Sequence, residues 1–400
     1  MPKVLRILNR FVIGGPAIHV LNLAEMTLPE FETLLIVGNR DAEEGSADFL
    51  IEGENKPIYI PEMSRAVNIF QDLKAFGKIR KIIREFKPDI VDTHGSKAGA
   101  IGRLAAISMN VPVVIHTYHG HIFKSYFGKF KSFLFLQIER FLAKWTDAII
   151  AISASQKREL VKDFKIAPAE KVHLKPLSID LFKFQENILE KRKLFRDEFC
   201  LDEDTVAIGI IGRLVPIKNH QLFLQAISFI LKKSNTKIKA FIIGDGAIRS
   251  SLELSAKTLN ISYSNLMNYD PIQTDLLFTS WRKDIDVVMA GLDIVTSSSL
   301  NEGTPISLIE AQASKKPIVA TKVGGIEDIV KHNITGLLSS IHEPDLYMNN
   351  LLKIVDEKDL RNELGQESDV HIIKMYDNKN IAKEMVDLYY SLLQKKGSSN

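Results

Sequence analysis

Short runs of β-branched and aliphatic residues alternate with longer stretches in which apolar side chains recur at helical spacing, along most of the chain. That alternation predicts βαβ units and mostly parallel sheets, whose strands are covered on both faces and so read as near-continuous apolar runs. In the first half the predicted strands are VLRIL (4–8), TLLIV (33–37), DIVDT (89–93), VPVVIH (111–116), DAIIAI (147–152) and KVHLK (171–175). The series restarts with VAIGIIG (206–212) and continues through IKAFIIG (238–244), DIVTSS (293–298), PIVAT (317–321) and GLLSS (336–340). Between the two series, Pro176 to Asp204 offers no strand and holds the charged run EKRKLFRDEF. A last amphipathic pattern, IAKEMVDLYYSLL (381–393), has no strand after it and predicts a terminal helix, with QKKGSSN as a disordered tail. The pattern therefore predicts an α/β protein of two doubly wound units in tandem.

Composition narrows this picture. The 400 residues suit two domains of about 200 each. With 45% hydrophobic and 25% charged residues the balance is that of a soluble globular protein, and no apolar run approaches the roughly 20 residues of a membrane span. The start MPKVLRILNR lacks an apolar secretion segment and Cys200 is the only cysteine, so a cytoplasmic location is expected. A net charge of +3 is too small to imply nucleic acid. Residues 1–180 carry 25 Lys and Arg against 20 Asp and Glu, so the first half is mildly basic and the second mildly acidic.

Ligands of open α/β sheets settle where strands exit into helices, and several exits carry chemistry. NRFVIGGPAIHVLNLAE (9–25) has Gly14, Gly15 and Pro16, which let backbone approach an anion at a helix start. In VDTHGSKAGAIGRLAA (91–106), Ser96 is a suitable cap and His94 and Lys97 sit at the mouth. VVIHTYHGHIF (113–123) places His116 and His119 as a proton-transfer or hydrogen-bonding pair, with metal ligation the weaker reading. Residues 121–144 mix lysines with Phe and Leu around the single acid Glu139. Ordinary core with a solvated basic face is the favoured reading of that stretch, and peripheral contact with an anionic membrane surface the other.

In the second half, IIGRLVPIKNHQLFLQA (210–226) offers Arg213 and Lys218 beside a helix start, a suitable diphosphate site. IIGDGAIRSSLE (242–253) is a lone Gly-x-Gly turn, and Asp284-Ile285-Asp286 reads as a helix that splays its two acids. SLNEGTPISLIEA (299–311) has Thr304 as a suitable cap and Pro305 as a favoured first helical residue. Glu302 then precedes the helix and Glu310 lies in its second turn, so two carboxylates flank a positive helix end. With a diphosphate at that end, the two could accept hydrogen bonds from hydroxyls on either side of it.

GRLVPIKN, the E-G-T-P-x-x-x-x-E run and PIVATKVGGIEDIV, preceded in order by GGPAIHVLNLA, DTHGSKAGAIGRLAA and TYHGH, resemble the retaining glycosyltransferases of glycosyltransferase family 4. The resemblance runs from about residue 4 to 340. It implies the GT-B fold, two Rossmann-like doubly wound parallel-sheet domains facing across a cleft. An acceptor-side domain would span 1–190 and a nucleotide-sugar domain 191–370, with 371–400 a helix and tail, the helix packing back on the first domain. It also implies transfer of a hexosyl or N-acetylhexosaminyl group, with retention, from a UDP-linked sugar to a hydroxyl of a lipid-linked or polysaccharide acceptor, at the inner face of the membrane and with no obligatory metal. Carried over by position, Arg213 and Lys218 would hold the diphosphate, Glu310 the ribose, and Glu302 the donor sugar. Backbone N–H groups from Gly303 through Thr304, Pro305 and Ile306 to Ser307 would approach sugar and phosphate, proline lacking the donor itself. Gly15 would lie against the diphosphate, His119 by the sugar's reactive face, and Arg282 near the base. Leu177-Ser178 replaces the family's usual Asn-Gly pair, and the acceptor loop Tyr118 to Phe127 does not transfer. Two rivals stand beside this reading, a nucleotide-sugar epimerase of the same architecture and a non-catalytic nucleotide-sugar-binding protein.

Overall fold

The computed structural model describes every residue except 41–44, 52–55, 65–67, 121–128, 269, 271–272, 368 and 399–400. The chain forms two compact units, residues 1–180 with 376–400, and residues 181–375.

The first unit holds strands β1 (Lys3–Leu8), β2 (Glu32–Gly38), β3 (Ile58–Ile60), β4 (Ile90–His94), β5 (Val113–Tyr118), β6 (Ala148–Ala151) and β7 (Val172–Leu174). They pair in parallel in the order β3-β2-β1-β4-β5-β6-β7. Helices α1 (Gly15–Met26), α2 (Ile69–Phe86), α3 (Ser96–Ser108), α4 (Lys129–Lys144) and α5 (Ala154–Arg158) connect them.

The second unit repeats the plan with β8 (Val206–Ile211), β9 (Ile238–Ile243), β10 (Tyr263–Asn265), β11 (Leu276–Ser280), β12 (Ile294–Ser297), β13 (Ile318–Thr321) and β14 (Gly336–Ser339). Its order is β10-β11-β9-β8-β12-β13-β14, again parallel throughout. Its helices are α6 (Ile188–Glu198), α7 (His220–Lys233), α8 (Arg249–Thr258), α9 (Ile285–Gly291), α10 (Ile306–Ala313), α11 (Ile326–Ile329), α12 (Pro344–Asp356), α13 (Lys358–Gln366) and most of α14 (Asp369–Tyr376). The closing helix α15 (Asn378–Gly397) belongs to the first unit.

Every run predicted as a strand contains one, because most of these residues are buried in the sheets and apolar side chains predominate there, with hydrogen-bonded exceptions such as Arg6 and Asp92. Three strands were not predicted. β3 is an edge strand of three residues with Ile58 and Tyr59 exposed, β10 is equally short, and β11 is an interior strand, LLFTS, buried in all but Ser280. The two units meet in sequence at Asp180 and Leu181, and α6 packs on α9 within the second unit, with the Phe195 and Phe241 rings tilted at 58° and 5.1 Å apart.

Helix α15 lays Ile381, Met385, Leu388, Tyr389 and Leu392 against Val4, Leu23, Phe31, Ile90 and Val113. Beneath it, the fully buried Arg6 guanidinium donates to Asp92 Oδ2 at 3.0 Å and to the Tyr389 hydroxyl at 2.8 Å. Tyr389 in turn donates to the same Asp92 oxygen at 2.9 Å. Burial pushes the Asp92 carboxyl up, but His94, Arg6 and Tyr389 outweigh it and hold the group below the usual carboxylate range.

The basic stretch needs a correction. Residues 121–128 lie outside the described residues, and α4 follows them. Glu139 points inward, accepting from Arg103 Nη2 at 2.6 Å and from the Tyr118 hydroxyl at 2.5 Å. Phe133, Leu134, Ile138 and Phe141, with Trp145 just beyond, are exposed on the other side. The inward face is held by a buried polar network, so this part of the aromatic stripe is surface rather than core.

Candidate functional site

In each sheet the winding reverses beside its first strand, between β1 and β4 and between β8 and β12. Both candidate centres stand at the carboxyl ends of those strand pairs, where a doubly wound sheet opens for a ligand.

In the second unit, β8 exits through Gly212 and Arg213 to a short turn, Pro216–Lys218, that leads into α7. β12 exits through Ser298 to Pro305 into α10. The two loops are sewn together: Leu300 N–H donates to Ile217 O at 2.8 Å, and the Ser298 hydroxyl reaches Lys218 O at 3.1 Å and Asn219 O at 2.9 Å. That stitching delivers Lys218 Nζ to Glu302 Oε1 at 2.6 Å, where Ser299 Oγ also donates at 2.5 Å. The glycine pair of KVGGI supports the arrangement from below. Gly324 has φ +51°, a left-handed conformation, and a Cβ there would meet Glu302 O at 1.9 Å. A Cβ on Gly325 would meet Gly303 O at 1.7 Å. Gly325→Ala is therefore expected to force the 302–304 backbone outward at a cost of about 1–3 kcal/mol, read as a melting-temperature drop of several degrees. An unchanged melting temperature would show that this close approach is not essential.

Helix α10 starts at Ile306 with Pro305 as its cap, one residue later than the Thr304 cap the sequence suggests. Proline's fixed φ and extended ψ end the loop, and the Thr304 hydroxyl is left buried without a hydrogen-bond partner among the described residues. The first-turn N–H groups of Ile306 and Ser307 have no acceptor within the helix, which favours an anion there. Glu310 lies one turn further in. It is buried at 8% exposure and, among the described residues, its carboxylate makes no hydrogen bond or ion pair. Burial pushes its carboxyl up to about 7, despite the opposing pull of Lys183.

Sequence reasoning missed His220, the first residue of α7. It is buried, both ring nitrogens lack partners among the described residues, and burial lowers its pKa to about 3, so the ring is neutral. It lines a polar recess with Lys218, Ser299, Glu302 and Ser307. The available signal was its place in K-N-H, two residues after Lys218. Arg282 stands apart from this recess lining. It is bound by Glu198 Oε2 at 2.8 Å and by Asp284 at 2.6 and 2.8 Å, over the Phe199 ring. Asp284 and Asp286 take separate partners, Arg282 and Lys191, so they splay as the sequence suggests.

In the first unit, Gly15 opens α1 and His19 follows one turn later. His19 Nδ1 accepts from Ser178 N–H at 2.9 Å, which leaves the proton of the neutral ring on Nε2. His94, the last residue of β4, bonds through Nδ1 to His119 Nε2 at 3.0 Å, and its Nε2 lies 3.4 Å from Asp92 Oδ1. The His19 ring sits edge-on to both, with centroids at 6.0 and 5.5 Å. Burial and the neighbouring rings hold His119 well below the ordinary histidine range.

His116 and His119 are not the pair the sequence suggests. Thr93 Oγ1 donates to Ile115 O at 3.1 Å and so accepts from His116 Nδ1 at 2.9 Å. Its ring also fills the space above Gly99, where a Cβ would come within 2.3 Å of it. Successive strand residues face opposite ways, so the ring after the strand pairs with β4 instead. Ser96 is not the cap of α3 either: Gly95 is, at φ +81°.

Comparison with known proteins agrees with this division. Residues 13–182 match the family model described as Glycosyltransferase Family 4, and residues 191–370 that described as Glycosyl transferases group 1. An Escherichia coli protein named UDP-Gal:alpha-D-GlcNAc-diphosphoundecaprenol alpha-1,3-galactosyltransferase is 28% identical over 355 residues, 88% of each chain. The Staphylococcus aureus capsular polysaccharide biosynthesis glycosyltransferase CapM is 24% identical over 342 residues, 85% of this chain and 87% of that one. Among solved structures, Anabaena HepE, in complex with UDP and glucose, superposes with a TM-score of 0.79 at 18% identity, covering 98% of this chain and all of that one. The fold is GT-B.

Proposed function

Since the chain belongs to the glycosyltransferases of the group 1 and family 4 type, we propose that it moves a hexosyl or N-acetylhexosaminyl group from a UDP-linked sugar, with retention, to a hydroxyl of a lipid-linked or polysaccharide acceptor in cell-surface glycan synthesis. The observation that carries this is the Lys218–Glu302 pair beside the head of α10. An ammonium, free helical N–H groups and a carboxylate there suit a diphosphate flanked by hydroxyls.

In this reading Lys218 and Arg213 meet the charge that develops on the leaving diphosphate, so the proposal includes no metal. Glu302 orients the donor sugar while Lys218 and Ser299 hold its carboxylate, and backbone from Gly303 to Ser307 approaches sugar and phosphate. Glu310 accepts from ribose hydroxyls, which explains a buried carboxyl with no protein partner. Arg282 lies by the base, Gly15 by the diphosphate, and His119 by the sugar. His94 holds the His119 ring in place. The exposed aromatic face of α4 and its basic residues support peripheral contact with an anionic membrane surface. Among the described residues no helix is long and apolar enough to cross a membrane.

The test is to incubate purified protein with a panel of UDP-sugars and a prenyl-diphosphate-linked sugar. The expected product is a glycoside of unchanged anomeric configuration by NMR. An epimerised sugar nucleotide without acceptor, or binding with neither transfer nor hydrolysis, would overturn the proposal.

A further inference from the structure

His220 opens α7 two residues after Lys218, and Asn219 turns the chain between them at φ +50°. The side chain is 1% exposed, and neither ring nitrogen has a hydrogen-bond partner among the described residues. Burying an imidazole without partners is costly, and a leucine, of similar size, would fill the same place without that cost. Packing alone therefore does not account for a histidine here.

The ring lines a recess at the carboxyl ends of β8 and β12, together with Lys218, Ser299, Glu302 and Ser307. The space open to the centre of a small molecule is about 10 Å³, enough for one water and too little for a phosphate. The walls are polar and their protons are already committed. Ser299 Oγ donates to Glu302 Oε1 at 2.5 Å, Lys218 Nζ donates to the same oxygen at 2.6 Å, and Thr296 Oγ1 donates to Gly209 O at 3.2 Å. Both hydroxyls keep their lone pairs, so the recess offers a guest acceptors together with the N–H or the lone pair of His220. A water, with two protons and two lone pairs, meets both kinds of partner. Burial, and after it the Lys218 ammonium, keep the ring neutral. A cationic ring in this place would compete with Lys218 for Glu302, and a neutral one does not.

We propose that His220 is a positioning residue of the transfer site: its ring holds one ordered water in this recess, and the water braces the Lys218–Glu302 pair. The role rests on the assignment of that pair to the donor diphosphate and sugar. Lys218 hangs on a flexible stem, and its ammonium makes one side-chain hydrogen bond among the described residues, to Glu302. A fixed water against the pair holds both groups where the charge of the leaving diphosphate develops, which acts on turnover more than on donor binding.

The test compares His220→Leu and His220→Asn with the wild type. In the leucine variant kcat is expected to fall about tenfold with the donor KM within about twofold, the mark of a misplaced catalytic group. Its melting temperature is expected to hold or rise, because two unpaired polar atoms are gone. Asparagine, which keeps polar atoms toward the recess, is expected to restore most of the lost kcat. Crystals of the full-length protein with UDP, at a resolution that shows ordered waters, are expected to hold one water within hydrogen-bond distance of His220 and of Glu302 or Ser299. A lowered melting temperature with kcat unchanged makes His220 a packing residue and overturns the proposal. Equal losses in the leucine and asparagine variants overturn it too, as does a wild-type crystal with no water at that position. The asparagine variant and the wild-type crystal keep the test decisive if the leucine variant does not fold. Normal transfer by the wild type and both variants refutes this role and leaves the transferase reading standing. A wild type that transfers from no UDP-sugar, with the water in place, refutes the transferase reading and leaves only the water site.

Discussion

Lys218→Ala is expected to lower the transfer rate about 10²–10³-fold, the usual cost of removing one fixed electrostatic contact to a leaving group, with the fold intact. The ammonium is held at 2.6 Å from Glu302, and that is its one side-chain hydrogen bond among the described residues. Its side chain is 23% exposed and its partner 10% exposed, so deletion leaves no core cavity and the lost ion pair is worth only about 1 kcal/mol. Glu302 keeps the Ser299 hydroxyl, which prevents a wholly unpaired carboxylate. Initial rates with saturating donor, beside a calorimetric melting curve, give both numbers. Turnover within a few-fold of wild type would remove Lys218 from the chemistry, and a collapse of the melting temperature would make the rate uninterpretable as catalysis.

The second large effect belongs to Glu310 and is read in protons. Its folded pKa is about 7 against an ordinary 4.5, raised by burial. A group raised on folding contributes stability that is full below its unfolded pKa and is lost as pH rises through its folded pKa. Between about pH 4.5 and 7 the unfolded chain ionises while the folded one stays protonated, so folding becomes less favourable by at most about 3 kcal/mol. Glu310→Gln removes that dependence, and its melting temperature should gain on the wild type from pH 5 to pH 8. Ribose hydroxyls donating to the carboxylate favour the ionised form, so UDP binding near pH 6.5 should release more protons in the wild type than in the variant, where only the ligand's own phosphate, with a pKa of about 6, contributes. Calorimetry in buffers of different ionisation enthalpy measures this. UDP affinity of the variant should fall at least tenfold. Parallel melting curves and equal proton release would show that Glu310 is a buried structural group.

The strands were legible because a parallel sheet demands apolar side chains on both faces, and nothing else in this chain produces runs such as VAIGII. Strand β11 was hidden because four buried residues and a serine beside a loop carry too little pattern to separate from a short helix. Lys218 and Glu302 were each visible as residues at strand exits, but the bond between them was not. They are 84 positions apart, and only the winding order of the second sheet makes their loops neighbours. The same holds for His94 and His119, which β4 and β5 carry to one edge, whereas alternation along β5 turns His116 inward. His220 was overlooked because a histidine at a helix start has no distinctive spacing, and its significance lies in having no partner. The helix start at 306 differs from the expected cap by one residue because proline's extended conformation ends the loop instead of beginning the helix.

The packing of α15 on the first sheet has a consequence for the order of events at the ribosome. Arg6 and Asp92 are made early, but Tyr389, which bonds both, is made only after the second unit. At about 5–20 residues per second, the first unit waits for roughly 10–40 s while the second is synthesised. During that interval Val4, Leu23, Phe31 and Ile90 have no cover from α15, and a buried charge pair lacks its third member. Although the first unit begins to emerge first, it is completed only after the second, and residues 376–400 serve as its closing clasp.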